Sequence, residues 1–158
     1  MKKVISNISQ TNKFITATLT LLTLIIGLGI YIKQFTTKNI AGEWYLKFTV
    51  VSTSYKPYVG DIHTQKLFLT QSDKNITGEG EKWEYNGKLL PFDSHRKVEY
   101  IGTIDGSEFK ATYKLFGKLR ESSGTICLKV SSDGKSVEGT FSGSAGDAKG
   151  TVTGDKIN

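Results

Sequence analysis

The sequence predicts an all-β domain, a small antiparallel up-and-down barrel of about eight or nine strands, preceded by one transmembrane α-helix. Three observations carry that expectation. Phe14 to Ile32 contains no charged residue and is closed by Lys13 and Lys33. From Ala41 onward the apolar residues recur with period two. Turn dipeptides such as Asn86-Gly87, Asp105-Gly106 and Asp133-Gly134 then punctuate the chain at intervals short enough for hairpins.

Residues 1–13 form a basic tail with Lys2, Lys3 and Lys13. At about 1.5 Å per residue the run over 14–32 extends roughly 28 Å, close to a bilayer's hydrocarbon thickness. Its polar residues are threonines, which can satisfy their hydroxyls on their own backbone carbonyls. A cleaved signal peptide would have a shorter apolar region and a small-x-small cleavage site, and Tyr31, Ile32, Lys33, Gln34 and Phe35 offer none. The run therefore reads as an uncleaved anchor. Thr16, Thr20, Thr23 and Gly27 fall on one stripe of that helix. Small residues and hydroxyls on one face favour helix association in lipid, which points to a homo-oligomer.

The lysines Lys2, Lys3, Lys13, Lys33 and Lys38, with no acid among residues 1–38, carry +5 of the formal +6 and leave 16 basic against 15 acidic residues in the remainder. The basic character thus belongs to the flanks of the span, where it suits anionic lipid, and argues against long nucleic acid as a partner. Lysines on both flanks give only a slight lean toward a cytoplasmic N-terminus, so the side on which the β-domain lies stays open.

After a linker over 33–41, residues 42–158 supply one domain. Glu43–Val51 alternates Trp44, Leu46, Phe48 and Val50 against Tyr45, Lys47 and Thr49, the pattern of a half-buried strand. A loop with Pro57 and Gly60 leads to a strand over Thr64–Gln71, and Asp73-Lys74-Asn75 turns the chain into Ile76–Trp83. Gly78 and Gly80 thin one face of that strand, as a curling sheet requires. Asn86-Gly87 marks a type I′ hairpin. Lys97–Asp105 and Glu108–Phe116 form the next hairpin. Ser122-Ser123-Gly124 reads as a break before Thr125–Val130, and Ser136–Ser142 and a short strand through Val152 complete the set. Such a meander either leaves raw edges or closes, so a closed barrel is expected, with a sandwich as the alternative.

The residues Ala41-Gly42-Glu43-Trp44 that open the first strand resemble the Gly-x-Trp start of lipocalin and avidin-like barrels. In plan, a membrane helix before a compact barrel is similar to the bacterial antiviral membrane effectors gated by cyclic oligonucleotides. That resemblance implies a nucleotide-binding β-domain at the inner membrane, cytoplasmic in orientation, that perturbs the bilayer through oligomeric helices. The alternative is a lipocalin-like binding or scaffold module facing the periplasm.

No catalytic constellation is present, so a binding protein is expected rather than an enzyme. His63 and His95 stand in no metal-spaced motif, and one cysteine, Cys127, excludes an internal disulfide. Ser122-Ser123-Gly124 lacks the Gly-x-Ser-x-Gly form of a nucleophile elbow, and the glycines from Gly139 to Gly150 lack the Lys-Ser/Thr ending of a phosphate loop. No cofactor or metal is implied. The candidate ligand-binding residues are the cations Arg96, Lys97, Lys114, Lys118 and Arg120, suited to a small anionic ligand, with Trp83, Tyr85 and Tyr113 as stacking platforms. Glu81, Glu84, Glu99 and Glu121 are close enough in sequence to neutralise those cations. Tyr55, Tyr58 and His63 form a further candidate rim.

Overall fold

The computed structural model describes residues 18–29, 37–118 and 121–157, and the chain divides into two units, residues 1–36 and 37–158. In the first unit residues 18–29 form a helix, α1. Every leucine and isoleucine in it, from Leu19 to Leu28, is more than half exposed. Thr23 Oγ1 donates to the Leu19 carbonyl at 2.6 Å and approaches the Thr20 carbonyl at 3.1 Å, so this hydroxyl is satisfied within its own helix. Apart from the backbone of its own helix and its chain neighbours, no described atom comes within 4 Å of a Cβ placed on Gly27.

Of the span expected over 14–32, residues 18–29 are described and helical, and residues 14–17, Thr16 among them, and 30–32 lie outside the described residues. The basic tail and residues 33–36 of the linker also lie outside the described residues. Among the described residues no helix is long and apolar enough to cross a membrane. The described helical turns reach about 18 Å at 1.5 Å per residue, and the remainder of the expected span falls outside the described residues.

The second unit contains β1 (Gly42–Ser52), β2 (Ile62–Ser72), β3 (Asn75–Tyr85), β4 (Lys88–Leu89), β5 (Arg96–Asp105), β6 (Glu108–Phe116), β7 (Glu121–Val130), β8 (Ser136–Gly143) and β9 (Lys149–Lys156). All pairings are antiparallel, and β9 returns to β1 with Trp44 opposite Lys156 and Phe48 opposite Val152. β3 pairs directly with β5, leaving β4 as a short flap on the end of β3. Eight strands therefore close, and the sandwich alternative is not adopted. Closure satisfies the backbone groups that a meander would leave raw at its edges. An eight-stranded barrel has an interior just wide enough for side chains to fill, and Trp44, Phe48, Leu69, Tyr100, Phe109 and Val152 fill it, none more than 2 % exposed.

Two boundaries differ from the sequence expectation. Ser122-Ser123-Gly124 continues β7 instead of breaking it, because Gly124 lies opposite Tyr113 and leaves room for that ring. A Cβ on Gly124 would stand 2.5 Å from the Tyr113 ring. β9 runs on to Lys156, since it must pair with both β8 and β1 to seal the barrel. The hairpin at Asn86-Gly87 is as expected, with φ of +48° and +76°.

One end of the barrel is plugged by the segment that leads into β1. The Lys38 amide donates to the Gly106 carbonyl at 2.8 Å. The Ile40 amide donates to Gln71 Oε1 and Trp44 Nε1 donates to the Ile40 carbonyl, each at 2.8 Å. Ile40 is fully buried beneath this bracket. Ile40→Ala is expected to lower stability by about 2–4 kcal/mol, read as a lower urea midpoint at unchanged slope.

Candidate ligand-binding site

The end of the barrel opposite the plug is open, and an irregularity in β3 shapes it. Along that strand Gly78, Gly80 and Lys82 face inward, so strict alternation would turn Tyr85 outward. Gln65 pairs with Lys82 but Thr64 pairs with Glu84, so Trp83 is an extra residue in the ladder. Such a bulge re-aims the residues beyond it. Tyr85 consequently joins Lys82 in the wall of a cavity of about 400 Å³ at the barrel mouth.

Phe141, Leu115 and Val50 give this cavity apolar walls, while Asp61, His63, Lys82, Tyr85 and Tyr113 supply its polar groups. The His63 ring stacks on Phe48 with centroids 4.8 Å apart and planes 6° apart, and meets Phe141 edge-on. Burial, aided by the Lys82 charge, lowers its pKa to about 3, so the imidazole is neutral at pH 7. Asp61 accepts hydrogen bonds from the Tyr85 hydroxyl and, at 3.0 Å, from Asn86 Nδ2. Those bonds hold the carboxylate below its usual range, and donation to Asp61 pushes the Tyr85 hydroxyl up to about 12. Burial likewise pushes Tyr113 up to about 12.

Lys82 is the cation of the mouth. Its Nζ lies 4.7 Å from the centroid of the Tyr85 ring, and Arg96 is its partner across the β3–β5 ladder. Burial lowers its pKa; Asp61 opposes that shift and Arg96 adds to it. Among the described residues neither Lys82 nor Arg96 forms an ion pair. Below this layer the Tyr100 hydroxyl donates to Gln65 Oε1, and Gln65 Nε2 is buried without a hydrogen-bond partner.

Of the residues expected to bind ligand, Tyr85 and Tyr113 line the cavity, as does Tyr58 of the candidate rim. Arg96 stands across from Lys82 and spends Nη1 on the carbonyls of His95 at 2.6 Å and Asp93 at 3.2 Å. The other described cations are paired with carboxylates and do not line the cavity: Lys97 with Glu99 at 2.7 Å, Lys114 with Glu121 at 2.6 Å and Lys118 with Asp93 at 3.8 Å. Lys97 and Lys114 also lie over the Phe116 ring at 5.9 and 4.8 Å. Trp83 stacks on Tyr45 of β1 at 5.4 Å and does not line the cavity either. Arg120 lies outside the described residues. His95 bridges Glu81 at 2.9 Å and the Leu90 carbonyl at 3.0 Å, bracing the β4 flap.

Lys82 and Asp61 are absent from the residues picked from sequence. For Lys82 the signal was present, since Gly78, Gly80 and Lys82 share one face at period two. Asp61 carried none, because its place depends on the Asn86 turn that reaches back to it. Among the described residues no cluster of three or more His, Cys, Asp or Glu side chains could hold a metal ion. The closed eight-stranded barrel is consistent with the lipocalin-like form that the Gly-x-Trp start implied. No family model, no curated protein and no solved structure matches the chain.

Proposed function

We propose that the barrel mouth binds a small anionic ligand with a flat apolar body. The observation that supports this most directly is Lys82 in the wall of an aromatic-sided cavity, with Arg96, which does not itself line the cavity, across the ladder from it and neither cation in ion-pair contact with a carboxylate among the described residues. Two adjacent unpaired cations repel each other, and an anion between them removes that cost. The cavity volume sits in the lower part of the roughly 300–1,000 Å³ range of small-molecule sites. It suits one nucleotide-sized unit rather than a whole cyclic oligonucleotide.

In its specific form the reading is a membrane-anchored bacterial defence effector. One base of a cyclic oligonucleotide enters the mouth against Tyr113 and Phe141, and its phosphates meet Lys82 and Arg96. The rest of the ring stays outside, within reach of Lys114 and Lys118. The exposed leucines and isoleucines of α1 support a helix whose sides are covered by lipid or by helices of further copies. Ligand binding acts on the membrane only through a difference in affinity between two arrangements of those copies.

Titration calorimetry of the full chain in detergent tests the binding step. A cyclic di- or trinucleotide is expected to give saturable heat that weakens about 10–100-fold in Lys82→Met, the loss of one charge-assisted contact. Absence of heat with every cyclic nucleotide, together with saturable binding of a fatty acid, would replace this reading with the lipocalin-like module. A reporter fused after Asn158 tests orientation: cytosolic fluorescence is expected, and alkaline phosphatase activity places the barrel outside the inner membrane.

A further inference from the structure

We propose that Lys82 is a carbonyl-reactive amine, which condenses with an aldehyde or ketone of a ligand seated in the mouth to form an imine. This rests on the same cavity accepting a small ligand, and adds a covalent step that anion binding does not require.

A lysine attacks carbon only when its nitrogen carries a free lone pair, and proteins favour that state by desolvating the amine or setting it beside another cation. Lys82 has both. It lies in the wall of an apolar-sided cavity, and Arg96 is its cross-strand partner. Asp61 and the face of the Tyr85 ring favour the ammonium, and burial, aided by Arg96, works against them. His63, on β2, is a neutral imidazole at pH 7, and Tyr113, on β6, keeps its proton. Asp61 is the one acid acting on Lys82, and its oxygens accept from Tyr85 and Asn86. Lysines on the outer surface are in the opposite condition, since Glu99 raises Lys97 and Glu108 raises Lys110 through hydrogen-bonded ion pairs.

The step balances without an oxidant or a metal. The Nζ lone pair forms a bond to the carbonyl carbon, the C–O π pair moves onto oxygen, and the proton lost by nitrogen is taken up there to give a carbinolamine. The nitrogen lone pair then expels the hydroxyl, which leaves as water with one further proton, and a C=N bond remains. Water is the sole by-product.

Pyridoxal 5′-phosphate is a suitable probe because it joins an aldehyde, a flat ring and a phosphate. The full chain is incubated with it at pH 7 and treated with borohydride, which adds hydride to the imine carbon and fixes the adduct for peptide mapping. Lys82 is expected to be labelled at least about ten-fold faster than Lys97 or Lys110. Excess pyridoxine 5′-phosphate, which lacks the aldehyde, is expected to protect it. Labelling of Lys97 and Lys110 at rates equal to or above that of Lys82 would overturn the proposal. If pyridoxine 5′-phosphate binds by calorimetry but the aldehyde leaves Lys82 unlabelled, the imine fails and the anion site stands. If it neither binds nor protects and Lys82 stays unlabelled, both fail.

Discussion

Gly150→Ala is expected to destabilise the barrel by more than about 4 kcal/mol, enough to lower its melting temperature by on the order of 15 °C. Gly150 lies on β9 between Phe141 of β8 and Val50 of β1. A Cβ there would come to 1.8 Å from the Thr49 carbonyl oxygen and 2.7 Å from Phe141 Cε1. The Phe141 ring can rotate away, but the Thr49 oxygen belongs to the backbone of the strand that closes the barrel. Relief requires β1 and β9 to separate, which opens the seam. Gly87→Ala is the matched control. Gly87 has φ +76° but no atom within 4 Å of its would-be Cβ, so its cost is conformational, roughly 1–2 kcal/mol. Thermal melts of the two variants followed by circular dichroism separate crowding from backbone preference. Equal losses would mean that the seam yields more easily than its geometry indicates.

The same glycines show how much of this fold was legible beforehand. Alternation in Glu43–Val51, Lys97–Asp105 and Glu108–Phe116 announced strands because one face of each meets a filled interior, and Asp105-Gly106 and Asn86-Gly87 fixed where the chain turns. Closure was legible only as an inference from glycine-thinned faces, since the β1–β9 contact joins residues at opposite ends of the domain. The site was harder to see. Clusters of cations in sequence drew attention to Lys97, Lys114 and Lys118, yet alternation turns Lys97 and Lys114 outward, away from Val98 and Leu115, and their carboxylate partners are near in the chain or across a strand. The cation that reaches the mouth, Lys82, stands singly between Glu81 and Trp83. Tyr85 faces the mouth because of the bulge at Trp83, and a one-residue slip of this kind reverses the face of everything after it.

Acidification supplies the other large expected effect. The stacked, desolvated ring of His63 holds a pKa of about 3 in the folded chain against 6.5 for the free side chain. Above pH 6.5 neither state binds a proton there, and the neutral ring keeps its contacts with Phe48. Between pH 6.5 and about 3 the unfolded chain is protonated and the folded one is not, so stability falls as pH falls, by up to about 1.4 kcal/mol per unit. A loss of about 2 kcal/mol is expected between pH 6.5 and 4.5, read from urea midpoints. His63→Phe keeps a ring against Phe48 and removes the proton site, and is expected to flatten that limb. His95 remains in both proteins, so the difference isolates His63; equal acid limbs would show that His63 is solvated in the folded state. The carboxylates whose pKa is lowered in the fold lose their contribution as pH falls below their ordinary values, 3.8 for Asp61, Asp105 and Asp133 and 4.5 for Glu108, so mainly below the interval from pH 6.5 to 4.5. A ligand anion held by Lys82 and Arg96 would offset the charge that opposes protonation of His63, raise its pKa, and restore part of the stability lost at pH 4.5. The acid limb of the wild-type barrel is therefore expected to shrink when the mouth is occupied, while that of His63→Phe stays flat with or without ligand.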